Sequence, residues 1–142
     1  MIVVLDASVI LKWLLEDPAR AADAGRAIAL VESVVRGDLE VRQPAHWLIE
    51  VGAVLARLSP ATAVDDVARL SALELPIQDD PVVLARATRM AAETGQHLFD
   101  TLYHAVAIEE AAATLVTADE RYLAKAGALG RIVALREWSS AV

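Results

Sequence analysis

Short apolar runs alternate along this chain with longer stretches in which apolar residues recur every three or four positions, a pattern that predicts strands interleaved with helices. Strands are predicted over residues 2–5, 39–42, 75–78, 114–117 and 132–135, and helices over 8–14, 18–36, 45–58, 60–73, 81–94, 99–112 and 119–126. Within the helices Val64, Val67, Ala68 and Ser71 share one face, as do Val83, Ala87 and Met90. The regular alternation predicts an α/β fold with a parallel sheet covered by helices. Capping residue and proline stand together at Asp17-Pro18, Ser59-Pro60 and Asp80-Pro81, marking three helix starts. Gly37, Gly95 and Gly127 stand where left-handed C-terminal caps are expected.

Four acidic residues break this pattern. Asp6 ends the run Ile2-Val3-Val4-Leu5, Glu50 interrupts an apolar helix between Ile49 and Val51, Asp100 opens the segment that begins Thr101-Leu102-Tyr103, and Asp119 follows Leu115-Val116-Thr117. Carboxylates in apolar surroundings are costly unless a cation pairs with them, and a divalent metal is an economical partner. Taken singly, Asp6, Asp100 and Asp119 are explained as well by capping the helices that follow them. Glu50 is harder to explain that way, because Trp47, Ala53 and Val54 surround it, although His46 one turn earlier is a possible partner. In an open parallel sheet ligands bind outside the carboxyl ends of the strands, which is where Asp6 and Asp119 fall. Ser8, Thr117 and Thr101 add hydroxyls near the four carboxylates, whereas His97 and His104 lack metal-ligand spacing and read as structural or surface residues.

The chain has 142 residues, the size of one domain, and residues 1–142 are read as one. It has no cysteine, so any metal must be held by oxygen or imidazole. Crowded carboxylates without histidine or cysteine ligands suit Mg2+ or Mn2+ and argue against zinc, and the chemistry best matched is phosphodiester hydrolysis. The net charge of -7 opposes broad attraction to nucleic acid, but 11 of the 13 basic residues are arginine, which suits local phosphate contacts. Hydrophobic residues make up 56% of the chain, and no run approaches the roughly 20 residues that span a bilayer. The surplus apolar surface predicts a dimer or a protein partner rather than a membrane. Asp6 interrupts the first apolar run too early for a cleaved export signal, so a cytoplasmic location is expected.

The fragments Ile2-Val3-Val4-Leu5-Asp6-Ala7-Ser8, mid-chain Glu50, Phe99-Asp100-Thr101-Leu102-Tyr103-His104 and Leu115-Val116-Thr117-Ala118-Asp119-Glu120-Arg121-Tyr122 resemble, in order and spacing, the PIN-domain ribonucleases. Within that family the chain is most similar to VapC-type toxins of toxin-antitoxin pairs. The resemblance implies a three-layer α/β/α sandwich around a five-stranded parallel sheet of order 3-2-1-4-5. It implies that Asp6, Glu50, Asp100 and Asp119 bind Mg2+ or Mn2+ with support from Ser8 and Thr117, for hydrolysis of RNA without a covalent enzyme intermediate. It further implies a homodimer, and inhibition by a VapB-type antitoxin that alone contacts operator DNA. Helices near 18–36 and 45–73 are the expected antitoxin surface. A catalytically silent interaction module of the same fold is the competing expectation. A phosphoacceptor reading is disfavoured because neither a second acidic residue beside Asp6 nor a lysine after a late strand is evident, and a dehalogenase-type phosphatase because Ser8 stands two residues after Asp6, where an aspartate would be needed.

Overall fold

The structure, a computed structural model, describes residues 1–15 and 23–139. Its elements, in chain order, are β1 (Ile2–Leu5), α1 (Ala7–Leu14), α2 (Ala24–Val35), β2 (Glu40–Val41), α3 (Trp47–Leu58), α4 (Ala63–Ala72), α5 (Pro81–Thr94), α6 (Leu98–Glu109), β3 (Ala113–Thr117), α7 (Glu120–Ala126) and β4 (Ile132–Ala134). The four strands are parallel in the order β2-β1-β3-β4. Val3, Val4 and Leu5 are all buried although successive side chains of a strand point to opposite faces, so helices cover the central strands on both sides. The main core joins these residues to Val9, Ile10 and Leu30, to Val51 and Leu55 of α3, and to Tyr103, Val106 and Ala107 of α6. No helix among the described residues is long and apolar enough to cross a membrane.

The sheet has four strands among the described residues where five were expected. The segment expected as the strand over 75–78 keeps only a single parallel bridge, Ile77 to Gln43. Gln43 donates its N–H to the Pro76 carbonyl (2.9 Å) and accepts from Gln78 N–H (2.9 Å). Pro76 has no N–H with which to extend the ladder back to Val41, whose carbonyl accepts instead from the Arg42 guanidinium (2.9 Å). In the other direction the chain after Gln43 turns through Pro44 into α3.

Three of the expected boundaries match in detail, among them Gly95 (φ +69), the left-handed C-cap of α5, whose N–H donates to Ala91 O (2.9 Å). Asp80 caps α5 through its Oδ1, accepting from Val82 and Val83 N–H, with Pro81 at the first helical position. Gly37 (φ +80) ends α2, donating to Val34 O (3.0 Å) while Asp38 donates to Ser33 O (2.9 Å). Others differ. Asp17-Pro18 lies outside the described residues. Pro60 begins a turn, closed by the hydroxyls of Ser59 and Thr62 at 2.8 Å, and α4 starts only at Ala63. Gly127 is right-handed and leads into a 3-10 turn, leaving the positive φ to Gly130.

Thr101, expected near the acidic residues, faces elsewhere. It is fully buried, and its hydroxyl donates to the Ala87 carbonyl of α5 (2.8 Å) and lies 3.2 Å from Leu98 O, tying α6 to α5. Replacing Thr101 with Val removes these bonds inside a packed interface and is expected to cost about 1–2 kcal/mol, measurable by denaturant unfolding.

Candidate active site

β1 and β3 are neighbours, yet the chain leaves them toward opposite edges of the sheet. This places a crevice at their carboxyl ends. Asp6 follows β1 and Asp119 follows β3, each capping the next helix: Asp6 accepts from Ser8 N–H (3.2 Å) and Asp119 from Tyr122 N–H (3.0 Å). Capping and cleft lining therefore coexist in these residues. On α3, Glu50, Val54 and Arg57 are spaced four and three residues apart, so all three face the crevice. α1 contributes Ser8, Leu11 and Lys12 by the same spacing, and α6 contributes Asp100. The resulting cleft of about 380 Å³ is lined by all four sequence-predicted carboxylates.

Two hydroxyls stitch the strand ends together. Ser8 Oγ donates to Asp6 Oδ2 and accepts from Ala118 N–H (2.9 Å). Thr117 Oγ1 donates to the same Asp6 oxygen (3.2 Å) and accepts from Asp119 N–H (3.0 Å). Asp6 is thereby fixed against the segment that carries Asp119, across 113 positions of sequence. On the opposite wall Tyr103 Oη donates to Glu50 Oε2 (3.0 Å), and His46 Nε2 stands 3.2 Å from that oxygen, within ion-pair range but off hydrogen-bond angle.

Burial and mutual repulsion shape the charges. Asp6 is only 9% exposed, and burial, helped by the nearby Glu50 and Asp100 and opposed by the Ser8 hydrogen bonds, pushes its carboxyl up to about 6. Asp100 is also raised, first by burial and then by Glu50 and Asp119. Burial, followed by the charge of Glu50, holds the Tyr103 phenol far above its ordinary range, so it serves as a donor only. Carboxylate oxygens on this scale, with hydroxyl support and no cysteine, make a donor set that fits a hard divalent cation. Among the described residues no three acidic or histidine side chains already stand as a coordination shell.

Tyr103, Lys12 and Arg57 were not foreseen as site residues. Tyr103 lies three residues after Asp100 on α6, and that helical spacing is the signal that finds it. Lys12 and Arg57 bring positive charge to the rim of an otherwise acidic cleft. His97 and His104 stand apart from the four carboxylates in role. His97 caps α6, accepting from Phe99 N–H (3.1 Å). His104 is buried, joined to Tyr122 Oη (3.0 Å) and the Gly130 carbonyl (2.6 Å), and burial lowers its pKa, consistent with a neutral ring.

No curated protein matches this chain. A family profile described as the PIN domain matches residues 3–129, which takes in all four carboxylates.

Proposed function

Because the chain belongs to the PIN-domain family, whose members are generally nucleases and typically use divalent metals, we propose that it is an Mg2+- or Mn2+-dependent endoribonuclease acting as the toxin of a toxin-antitoxin pair. The observation that supports this most is the gathering of Asp6, Glu50, Asp100 and Asp119 from four separate elements onto one cleft at the switch point of the sheet. These four would hold the metal. When bound, the ion supplies an activated water and neutralises charge on the phosphate. The protein's own groups set the stage: Ser8 and Thr117 orient Asp6, Tyr103 orients Glu50, and Lys12 and Arg57 attract the RNA phosphates flanking the cut. The buried Asp6 speaks against a purely structural module, since a fold with no use for a carboxylate here gains by holding a neutral residue.

The toxin role is supported by apolar side chains left on α3 and α4, where Ile49 is 74% and Val64 81% exposed. A VapB-type antitoxin covering this surface, a homodimer, a cytoplasmic location and one PIN domain spanning residues 1–142 complete the proposal. Purified protein incubated with structured RNA and Mn2+ should cut it, while EDTA and Asp6→Asn should each stop the cutting. Equal cleavage in all three would overturn the metal-nuclease reading. Tyr103→Phe keeps the ring but frees Glu50, and the cleavage rate is expected to fall about tenfold, the equivalent of one lost hydrogen bond to a charged group, with KM for RNA unchanged. An unchanged rate would detach Tyr103 from the site.

A further inference from the structure

Most arginines of this acidic chain are already matched to a carboxylate. Arg26, Arg36, Arg42, Arg69, Arg86 and Arg136 each stand within 4.0 Å of an aspartate or glutamate, and Arg131 donates to the Ala113 carbonyl (3.3 Å). Among the described residues Arg57, Arg89, Arg121 and Lys125 have no such partner. Arg57 lines the acidic cleft, and Arg89 lines a separate cavity on α5. Arg121 and Lys125 share α7, the helix that begins directly after the cleft residue Asp119.

α7 buries Tyr122 and Ala126, while Arg121 and Lys125 are exposed. Four residues apart, the two cations lie one above the other, about 6 Å apart along the helix axis. Glu120, the neighbouring carboxylate of the same turn, is held by Arg136. Asp119 accepts the Tyr122 N–H and lines the cleft. The first turn of a helix favours anions, because its unpaired N–H groups and the helix dipole place positive charge there. Arg121 therefore stands against the local field with no carboxylate to offset it, whereas Lys125 in the last turn stands with it. A cation kept in an unfavourable place beside a cleft suited to phosphate chemistry calls for an anionic ligand.

We infer that α7 carries the RNA backbone away from the cut, with Arg121 and Lys125 gripping successive phosphates on the Asp119 side of the cleft. That RNA is the ligand rests on the nuclease reading. A polyanion that lies across four carboxylates needs cations outside them, and a row of two along one helix face matches the repeated charge of a nucleic-acid strand. An acidic protein segment has no reason to continue into a cleft of carboxylates, whereas an RNA strand continues from the cut phosphate onto one side of it. Such contacts fix the position of the strand without reading its sequence. The track therefore sets how far the substrate extends past the scissile bond rather than which base is cut.

A fluorescein-labelled single-stranded RNA of mixed sequence, bound in Mg2+ to the full chain carrying Asp6→Asn, tests the track without cleavage. Adding Arg121→Ala and Lys125→Ala together should weaken binding about tenfold and flatten the plot of log Kd against log salt by about 1.4, two contacts at about 0.7 each. Arg89→Ala, the same kind of charge loss on α5, should change neither quantity, and Arg121→Lys should keep the affinity. The melting temperature of the double variant should not fall, since both side chains are exposed and alanine favours a helix. No binding by the parent at about 50 mM salt, unchanged affinity and slope in the double variant, or an equal loss from Arg89→Ala or Arg121→Lys would overturn the inference. So would a double variant that keeps its RNA affinity but loses a poly-glutamate peptide bound by the parent, a result that assigns the face to an acidic protein segment. RNA held through α7 by a wild-type chain that cuts none in Mn2+ would remove the nuclease reading and keep the track. Cutting by a chain whose α7 double variant binds RNA as before would do the reverse.

Discussion

Asp6→Asn is expected to abolish RNA cleavage while making the metal-free protein more stable. Loss of one carboxylate from a metal-holding set removes several kcal/mol of transition-state stabilisation, on the order of a thousandfold in rate. The gain in stability follows from the same burial. The Asp6 carboxyl sits near 6 in the folded protein against an ordinary 3.8. Below 3.8 both folded and unfolded chains carry the proton and no penalty exists. Between 3.8 and 6 the unfolded chain ionises first, so stability falls as pH rises, and above 6 the loss is complete, about 3 kcal/mol at pH 7. Asparagine has no charge to lose and still accepts the capping bond from Ser8 N–H. Denaturant unfolding at pH 4.5 and 7.5 should show this decline in the wild type and its absence in the variant. A variant that keeps the wild-type slope would show that Asp6 is not the residue responsible. Mg2+ should restore stability to the wild type at pH 7, by about 2.7 kcal/mol at a hundred times its Kd, and do little for the variant.

Gln43→Leu should produce the largest loss of stability of any single change considered. Gln43 is fully buried, and its side-chain amide takes the place of a neighbouring strand at the end of β1: Oε1 accepts Leu5 N–H (2.8 Å) and Nε2 donates to Leu5 O (2.9 Å). Leucine matches the volume but leaves both backbone groups of Leu5 unpaired in the core, at about 1–3 kcal/mol each. The melting temperature is expected to fall by on the order of 10 °C. Because Leu5 immediately precedes Asp6, cleavage should also decline in the fraction that remains folded. Hydrogen exchange at Leu5 N–H reads the same bond directly. A variant within 0.5 kcal/mol of wild type would show that the amide does not serve β1 in this way.

What could be read from the sequence was the part written in local pattern. The strand ends carrying Asp6 and Asp119, the apolar helix around Glu50 and the Asp80-Pro81 start all follow from residues within one or two turns of each other. What could not be read depends on distant partners. Gln43 lies between Arg42 and Pro44 and reads as a loop residue until Leu5 is brought beside it. Thr101 has the same chemistry as Thr117 and sits beside Asp100, yet helix packing turns its hydroxyl to Ala87 rather than to the cleft. The expected strand over 75–78 has the apolar composition of one, but Pro76 withholds the N–H that a longer ladder requires. His46 was foreseen as a partner for Glu50, and its Nε2 stands 3.2 Å from the Glu50 carboxylate.

The short β2 edge has a consequence for how this protein meets other molecules. An open outer strand offers its free N–H and C=O row to any extended chain, which is how sheets of separate molecules fuse and aggregate. Here the Val41 carbonyl is occupied by Arg42, the Gln43 groups are spent on Pro76 and Gln78, and proline follows at 44. An incoming strand finds no row to read on that side. Association there must proceed through side chains on helices, a contact that can be formed and released without trapping the molecule in a continuous sheet.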